Sequence, residues 1–283
     1  MSVFDLIHKI YFSPTGTTRK VAEAIAKGLK APASEGSEPV VRSLDLTHRD
    51  AAEELLAGET LAVLAAPVYG GHVAPEAVRR MKGIRGSGTP AVVAVVYGNR
   101  AFEHAAEELA RLAEEQGFRP IAAGAFVGEH SYSTPETPIA AGRPDDRDLA
   151  AAEAFGEAVR RKIDRGDLTP VDAARLKDRR TPLLSLLRFA RFVLRYRRRQ
   201  KKHPVRYLPE GDAARCTRCG RCAAVCPVGA IARGDETRTD PARCIRCCAC
   251  VKGCPVGART FRTPYAEALA RNFTRRKEPV TRL

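Results

Sequence analysis

Short apolar runs rich in β-branched residues alternate, over residues 1–165, with longer stretches whose apolar positions recur every three or four residues. The short runs fall at 3–11, 40–46, 61–66, 91–97 and 121–127. Helical periodicity covers 17–30, roughly 49–57, 74–82, 102–116 and 146–164. Strands and helices in strict alternation predict an α/β fold, a doubly wound five-stranded parallel sheet with helices on both faces. Ligands of such sheets sit at the carboxyl ends of the strands, so the loops that follow the strands carry the first functional expectations.

The first of these loops reads Ser13-Pro14-Thr15-Gly16-Thr17-Thr18 and runs directly into a helix. Hydroxyls together with the free amides of a helix N-terminus hold a phosphate without any cationic side chain, and Gly16 lets backbone come close. The same residues also serve as an ordinary cluster of helix caps. No G-x4-G-K-S/T and no strand-linked G-x-G-x-x-G is present, which argues against a triphosphatase loop and a dinucleotide fingerprint. Pro67-Val68-Tyr69-Gly70-Gly71-His72 follows the third strand and Tyr97-Gly98-Asn99-Arg100-Ala101-Phe102 the fourth. Each joins an aromatic to glycine, the chemistry that brings bare backbone and ring faces against a flat ligand. Tyr69 and either Tyr97 or Phe102 are the expected stacking partners. Arg100 and His72 are read as loop residues. Residues 128–144 form a 17-residue stretch with three prolines and two glycines, expected to cover the ligand edge or to meet the C-terminal half.

Charge divides the chain. Residues 1–174 carry a net −5, residues 175–206 carry +12 with Asp178 as their single acid, and residues 207–283 carry +8. The basic balance therefore belongs to the C-terminal half, where it favours an acidic protein, an anionic membrane surface or nucleic acid. Nucleic acid ranks last, because no recognised binding module accompanies the charge. Residues 182–202 combine leucines and phenylalanines with arginines at helical spacing. They are too charged to span a bilayer, and they read either as a strut between domains or as a helix lying on an anionic surface.

All 9 cysteines lie between Cys216 and Cys254. A disulfide scaffold would spread them through a small secreted chain, and no charged-then-apolar leader precedes the first strand, so a reducing, cytoplasmic setting is expected. Cys216, Cys219, Cys222 and Cys226, followed by Pro227, give C-x2-C-x2-C-x3-C-P. Cys244, Cys247, Cys250 and Cys254, followed by Pro255, repeat it 28 residues later, and Cys-Pro-Val-Gly-Ala recurs at both ends. A repeat at fixed offset means two copies of one structural unit. Three thiolates at this spacing wrap one iron–sulfur cube, while the fourth crosses to the cluster of the other repeat. The expected sets are Cys216, Cys219, Cys222 and Cys254 for one [4Fe–4S] cluster, and Cys244, Cys247, Cys250 and Cys226 for the second. Structural zinc, the competing reading, uses two C-x2-C pairs rather than this pattern. Small residues at Gly220, Ala223 and Ala249 leave room for amides to approach the sulfides. Cys248 is left over and reads as a small thiol beside a cluster. Arg218, Arg221, Arg246 and Lys252 lie between the ligands and serve equally as solvated side chains or as a docking rim.

The cysteine block, over 208–263, resembles the bacterial two-cluster ferredoxins. Residues 1–167 resemble the flavodoxins, whose S/T-x-T-G-x-T phosphate loop is matched by Ser13, Thr15, Gly16 and Thr18, although the Trp that many flavodoxins place in the second loop is absent. Together these parts resemble the flavodoxin–ferredoxin fusion family. The resemblance implies bound FMN, held by Ser13, Thr15, Gly16, Thr17, Thr18, Pro67, Tyr69, Gly70, Tyr97, Gly98, Asn99 and Phe102. Residues 168–207 form a basic connector and 264–283 a basic tail. The implied function is intracellular relay of single electrons between two clusters and FMN for partner redox enzymes with acidic docking surfaces. An FMN-dependent reductase of a small molecule, fed by its own ferredoxin domain, is the alternative.

Overall fold

The computed structural model describes residues 4–30, 38–50, 53–178 and 181–283. These fall into two compact units that interleave along the chain. One comprises residues 4–129, 142–178 and 277–283, and the other comprises 130–141 and 181–276.

The first unit opens with β1 (Leu6–Tyr11), α1 (Thr17–Lys30), β2 (Val40–Asp45), β3 (Glu54–Leu56) and β4 (Thr60–Tyr69). It continues through β5 (His72–Val73), α2 (Pro75–Met81), β6 (Ile84–Gly86), β7 (Thr89–Tyr97), α3 (Ala105–Glu115), β8 (Phe118–Val127) and α4 (Asp146–Asp164). Five strands run parallel in the order β2-β1-β4-β7-β8, the flavodoxin-like arrangement. The central strands are apolar along almost their whole length because helices cover both faces. On one face Ile7, Val63, Val92, Ala94 and Val96 meet Val21, Ile25, Phe155 and Val159 of α1 and α4. On the other, Leu64 borders a crevice shared with Met81, Leu109 and Leu112 of α2 and α3.

The five sheet strands stand where the apolar runs place them, with residue 3 outside the described region. The helix expected at 49–57 does not form. Residues 51–52 are outside the described region, and Glu54–Leu56 instead pairs in parallel with Ile84–Gly86, burying Leu56. A three-residue strand flanked by polar residues leaves too little sequence for its period to be read.

Helices α1 and α4 approach so closely that glycine is required on both. A Cβ on Gly28 would lie 2.0 Å from the Glu153 carbonyl oxygen, and one on Gly156 would lie 2.2 Å from that of Ile25. The N-terminus of α4 is closed by a reciprocal cap in which the Asp145 side chain accepts from the Asp148 amide and Asp148 answers to Asp145. Asp148 is buried and is met by the Arg143 guanidinium, whose Nε donates to Oδ2 at 2.7 Å.

The second unit contains α5 (Leu183–Lys202), β9 (Glu210–Gly211), α6 (Arg221–Ala224), α7 (Ala249–Lys252), β10 (Arg259–Thr260) and α8 (Pro264–Asn272). β9 and β10 form a two-stranded antiparallel ribbon. α8 starts at a Thr263 cap with Pro264 in its first turn. Phe189 of α5 packs edge-on against Tyr265 and Phe273, and Ile139 joins the same apolar cluster. The long loop therefore folds largely with the C-terminal unit: Tyr132 lies 4.8 Å from the Phe261 ring, and the Ser133 carbonyl accepts from Lys252 at 2.8 Å. The loop adds Ile139 and Tyr132 to the apolar cluster that α5 and α8 build. Residues 264–283, expected as a basic tail, hold α8 and a last strand, β11 (Val280–Arg282). β11 pairs antiparallel with β8 at the sheet edge. No helix among the described residues is long and apolar enough to cross a membrane.

Candidate functional site

The carboxyl ends of β1, β4 and β7 bring the three candidate loops of the first unit to one edge of the sheet. The loop after β1 turns at Gly16, whose φ of +83° favours glycine and beside whose Cα there is open space. Ser13 is tied down twice. Its amide donates to Thr47 Oγ1 at 2.9 Å, and its own Oγ accepts from the Arg19 amide at 3.0 Å. Thr18 Oγ1 is buried, and among the described residues it has no hydrogen-bond partner. A buried hydroxyl in the first turn of a helix fits a phosphate oxygen.

After β4, Tyr69 and His72 close a tight hairpin through Gly70 and Gly71, both at positive φ, and Tyr69 is half-buried. The third loop departs from expectation. Tyr97 and Phe102 are both buried and pack edge to face at 5.4 Å, so neither ring face is presented for stacking. β7 is buried along almost its whole length, Tyr97 included, and Phe102 packs against that ring. What the loop offers a ligand is backbone around Gly98 and Asn99, the latter at a φ of +64°.

Sequence reading missed the residues that brace these loops. Asp178 accepts from the Phe102 amide at 2.8 Å, and Lys277 donates to the Arg100 carbonyl at 2.5 Å. Glu108 of α3 holds the second loop, accepting from the Val73 amide at 3.0 Å and pairing with His72. The hydrogen bond and charge of Glu108 raise the His72 pKa above its ordinary value. None of these partners is near in sequence, so no local pattern announces them.

In the second unit the 28-residue repeat is written into the backbone. Arg218 and Arg246 share φ values of 54° and 55°, Gly220 and Cys248 values of 72° and 57°, and Gly229 and Gly257 values of 59° and 60°. α6 and α7 follow Gly220 and Cys248 in the same way. The hydrogen bonds repeat too: Ala230 N–H donates to Cys226 Sγ and Ala258 N–H to Cys254 Sγ, both at 3.2 Å. Asp212 N–H donates to the Ala258 carbonyl and Asp240 N–H to that of Ala230, which ties the start of each repeat to the end of a repeat.

Cys216, Cys219, Cys222 and Cys254 line one pocket that opens to solvent. Three come from the first repeat and one from the second. Gly220 and Ala258 line it as well, as does Arg259. Of the other set, Cys247 and Cys250 are buried. Burial pushes the Cys247 thiol up to about 12 and the Cys250 thiol up to about 11, and Arg259 opposes the second shift. Burial also acts on Cys254, but backbone N–H groups outweigh it and lower the value. Buried thiolates this costly need a compensating cation, and a donor set of four sulfurs around a cavity, with backbone N–H groups on the sulfurs, fits an iron–sulfur cube. Cys248 is buried as a non-glycine left-handed residue, at a cost of about 1 kcal/mol.

Residues 209–232 and 237–260 each match the 4Fe-4S binding domain family. Those two segments carry an iron–sulfur domain.

A search of curated proteins finds no match to the chain. Among solved structures, the chain is similar to a flavodoxin from the domain Archaea, at 14% identity and a TM-score of 0.35, covering 56% of this chain and 99% of that one. It is also similar to the Streptococcus pneumoniae TIGR4 flavodoxin, at 18% identity and a TM-score of 0.38, covering 56% and 99%. The Flv1 flavodiiron core from Synechocystis sp. PCC6803 matches at 15% identity and a TM-score of 0.38, covering 58% of this chain and 37% of that one. The chain thus joins a flavodoxin-like α/β sheet, seen in its own strand order, to a ferredoxin-type 4Fe-4S domain.

Proposed function

We propose that this protein transfers single electrons between two [4Fe–4S] clusters and a noncovalently bound FMN, serving partner redox proteins in the cytoplasm. The observation that carries the reading is the cavity lined by Cys216, Cys219, Cys222 and Cys254, three cysteines of one repeat and the last of the other. The symmetric set, Cys244, Cys247, Cys250 and Cys226, holds the second cluster. Bound FMN would supply a centre that exchanges electrons one or two at a time, whereas each cluster exchanges one. Ser13, Thr15, Gly16, Thr17 and Thr18 bind its phosphate. Pro67, Tyr69, Gly70, Gly98 and Asn99 orient the ring, with Tyr97 and Phe102 acting from the core beneath their loop. The basic surface of the C-terminal half favours acidic partners.

Anaerobic purification followed by iron, sulfide and released-flavin analysis on one sample tests this. About eight iron, eight sulfide and one FMN per chain are expected. Eight iron without flavin would leave the iron–sulfur half of the reading and remove the other. Tightly bound zinc in place of iron would overturn it.

A further inference from the structure

α5 has two apolar faces and fills only one of them. Phe189 is its one buried side chain among those described, and with Phe192 and Val193 it packs into the cluster around α8. Leu183, Leu187, Ala190 and Leu194 follow one another at i, i+4, i+7 and i+11, which sets a stripe roughly 130° around the helix from Phe189. That stripe is uncovered: Leu183 is 71% exposed, and Leu187 and Leu194 are each 59% exposed. Arg188, Arg191, Arg195, Arg198 and Lys202 run along one edge of it at helical spacing, and the helix contains no acidic residue at all.

Leucines in line beside a continuous row of arginines, with no carboxylate to neutralise them, make a surface that is both apolar and cationic. An acidic protein would satisfy the charge but leave the leucines in water. An anionic bilayer satisfies both, taking the leucines into the acyl boundary and the guanidinium groups among the headgroup phosphates. At 20 residues the helix is about 30 Å long, enough to lie flat with the whole stripe engaged. We propose that the exposed face of α5 docks the protein on an anionic membrane surface, in the plane of the interface. The docking uses neither the clusters nor the flavin site, so it stands or falls separately from the electron-transfer reading.

The test is co-sedimentation of the full-length, anaerobically purified protein with vesicles of phosphatidylcholine alone or with about a quarter phosphatidylglycerol. The protein is expected to pellet with the mixed vesicles and not with the neutral ones, and the binding is expected to weaken as salt rises. Leu187→Ser with Leu194→Ser should lower affinity at least about tenfold. Arg191→Gln should lower it by about fivefold. Both variants change exposed side chains, so circular dichroism and the iron–sulfur absorbance should match the parent. Pelleting unaffected by the leucine changes would overturn the proposal, as would no preference for anionic vesicles. Binding to polyglutamate that displaces the vesicles and ignores the leucines would assign the face to an acidic protein instead.

Discussion

Lys277 Nζ stands 2.9 Å from Asp178 Oδ1, joining a residue that follows α8 to the single acid of residues 175–206. The pair acts on the third loop from both sides. Asp178 Oδ2 accepts from the Phe102 amide, while Lys277 donates to the Arg100 carbonyl and lies 5.9 Å from the Tyr97 ring centroid. Lys277 is buried, so removing Asp178 strands a cation away from water. Asp178→Ala is expected to destabilise the first unit by roughly 3 kcal/mol in denaturant unfolding. Because the loop that loosens is the one proposed to orient the flavin ring, FMN affinity should fall together with stability. An unchanged affinity alongside lower stability would show that the loop is not part of the flavin site.

The α1–α4 contact supports a second prediction. A methyl group at Gly156 would enter the Ile25 carbonyl, and the facing element is helix backbone that cannot swing aside. Gly156→Ala should therefore cost roughly 1–3 kcal/mol, although alanine is the better helix former. A neutral or stabilising result would mean that the helices separate at little cost.

How far the chain announces its own structure depends on the range over which each feature is specified. The five parallel strands and the cysteine repeat are local, carried by runs such as 61–66 and by a spacing repeated after 28 residues. Both were legible. The residues that brace the sites were not. Asp178 reaches across 76 positions to Phe102, and Lys277 across 177 to Arg100, and no periodicity links such positions. Burial of Tyr97 and Phe102 was equally hidden, because an aromatic at a strand end looks the same whether it faces a ligand or the core. β11 escaped notice because three residues on a sheet edge carry too little pattern, and its place depends on β8 being there to pair with.

The segment 208–262 of the second unit has little to hold it besides its cysteines. Its apolar group consists of Cys222, Ile231 and Cys250 with Ala223 and Val251 against them, and its ribbon has two residues per strand. Stripping iron with chelator under oxidising conditions should therefore expose residues 208–262 to limited proteolysis. The parallel sheet, with a large core of its own, should stay resistant. Equal survival of both parts would show that the thiols are not structural ligands.

Arg259 stands where the repeat has Ile231, 28 residues earlier, and it is buried. Its guanidinium donates to the carbonyls of Glu236 at 2.5 Å and Pro209 at 2.9 Å, and it borders the cysteine cavity. Held rigidly and always charged, it favours the more negative, reduced form of a cluster beside it. Arg259→Met is expected to shift an iron–sulfur midpoint potential downward in an EPR-monitored titration. Arg259→Lys should leave it near the parent value. A potential that moves equally in both variants would trace the shift to lost hydrogen bonds rather than to charge.

His72 offers a titration with a definite sign. Its hydrogen bond to Glu108, with the carboxylate charge behind it, raises the imidazole pKa above 6.5. Burial acts to raise Glu108, but the His72 hydrogen bond and the Val73 amide outweigh it and hold the carboxyl low. A base whose folded pKa is raised contributes stability that is complete below its unfolded value. That contribution is lost as pH rises through the folded value. The pair should therefore steady the second loop at mildly acidic pH and release it above neutrality, with only a small effect on global stability because the imidazole is exposed. NMR titration of the His72 ring is expected to give a midpoint above that of an unperturbed histidine. In Glu108→Gln the midpoint should fall back toward the ordinary value, since the neutral amide keeps the shape of the contact but not its charge. A midpoint unmoved by that change would show that His72 and Glu108 do not pair in solution.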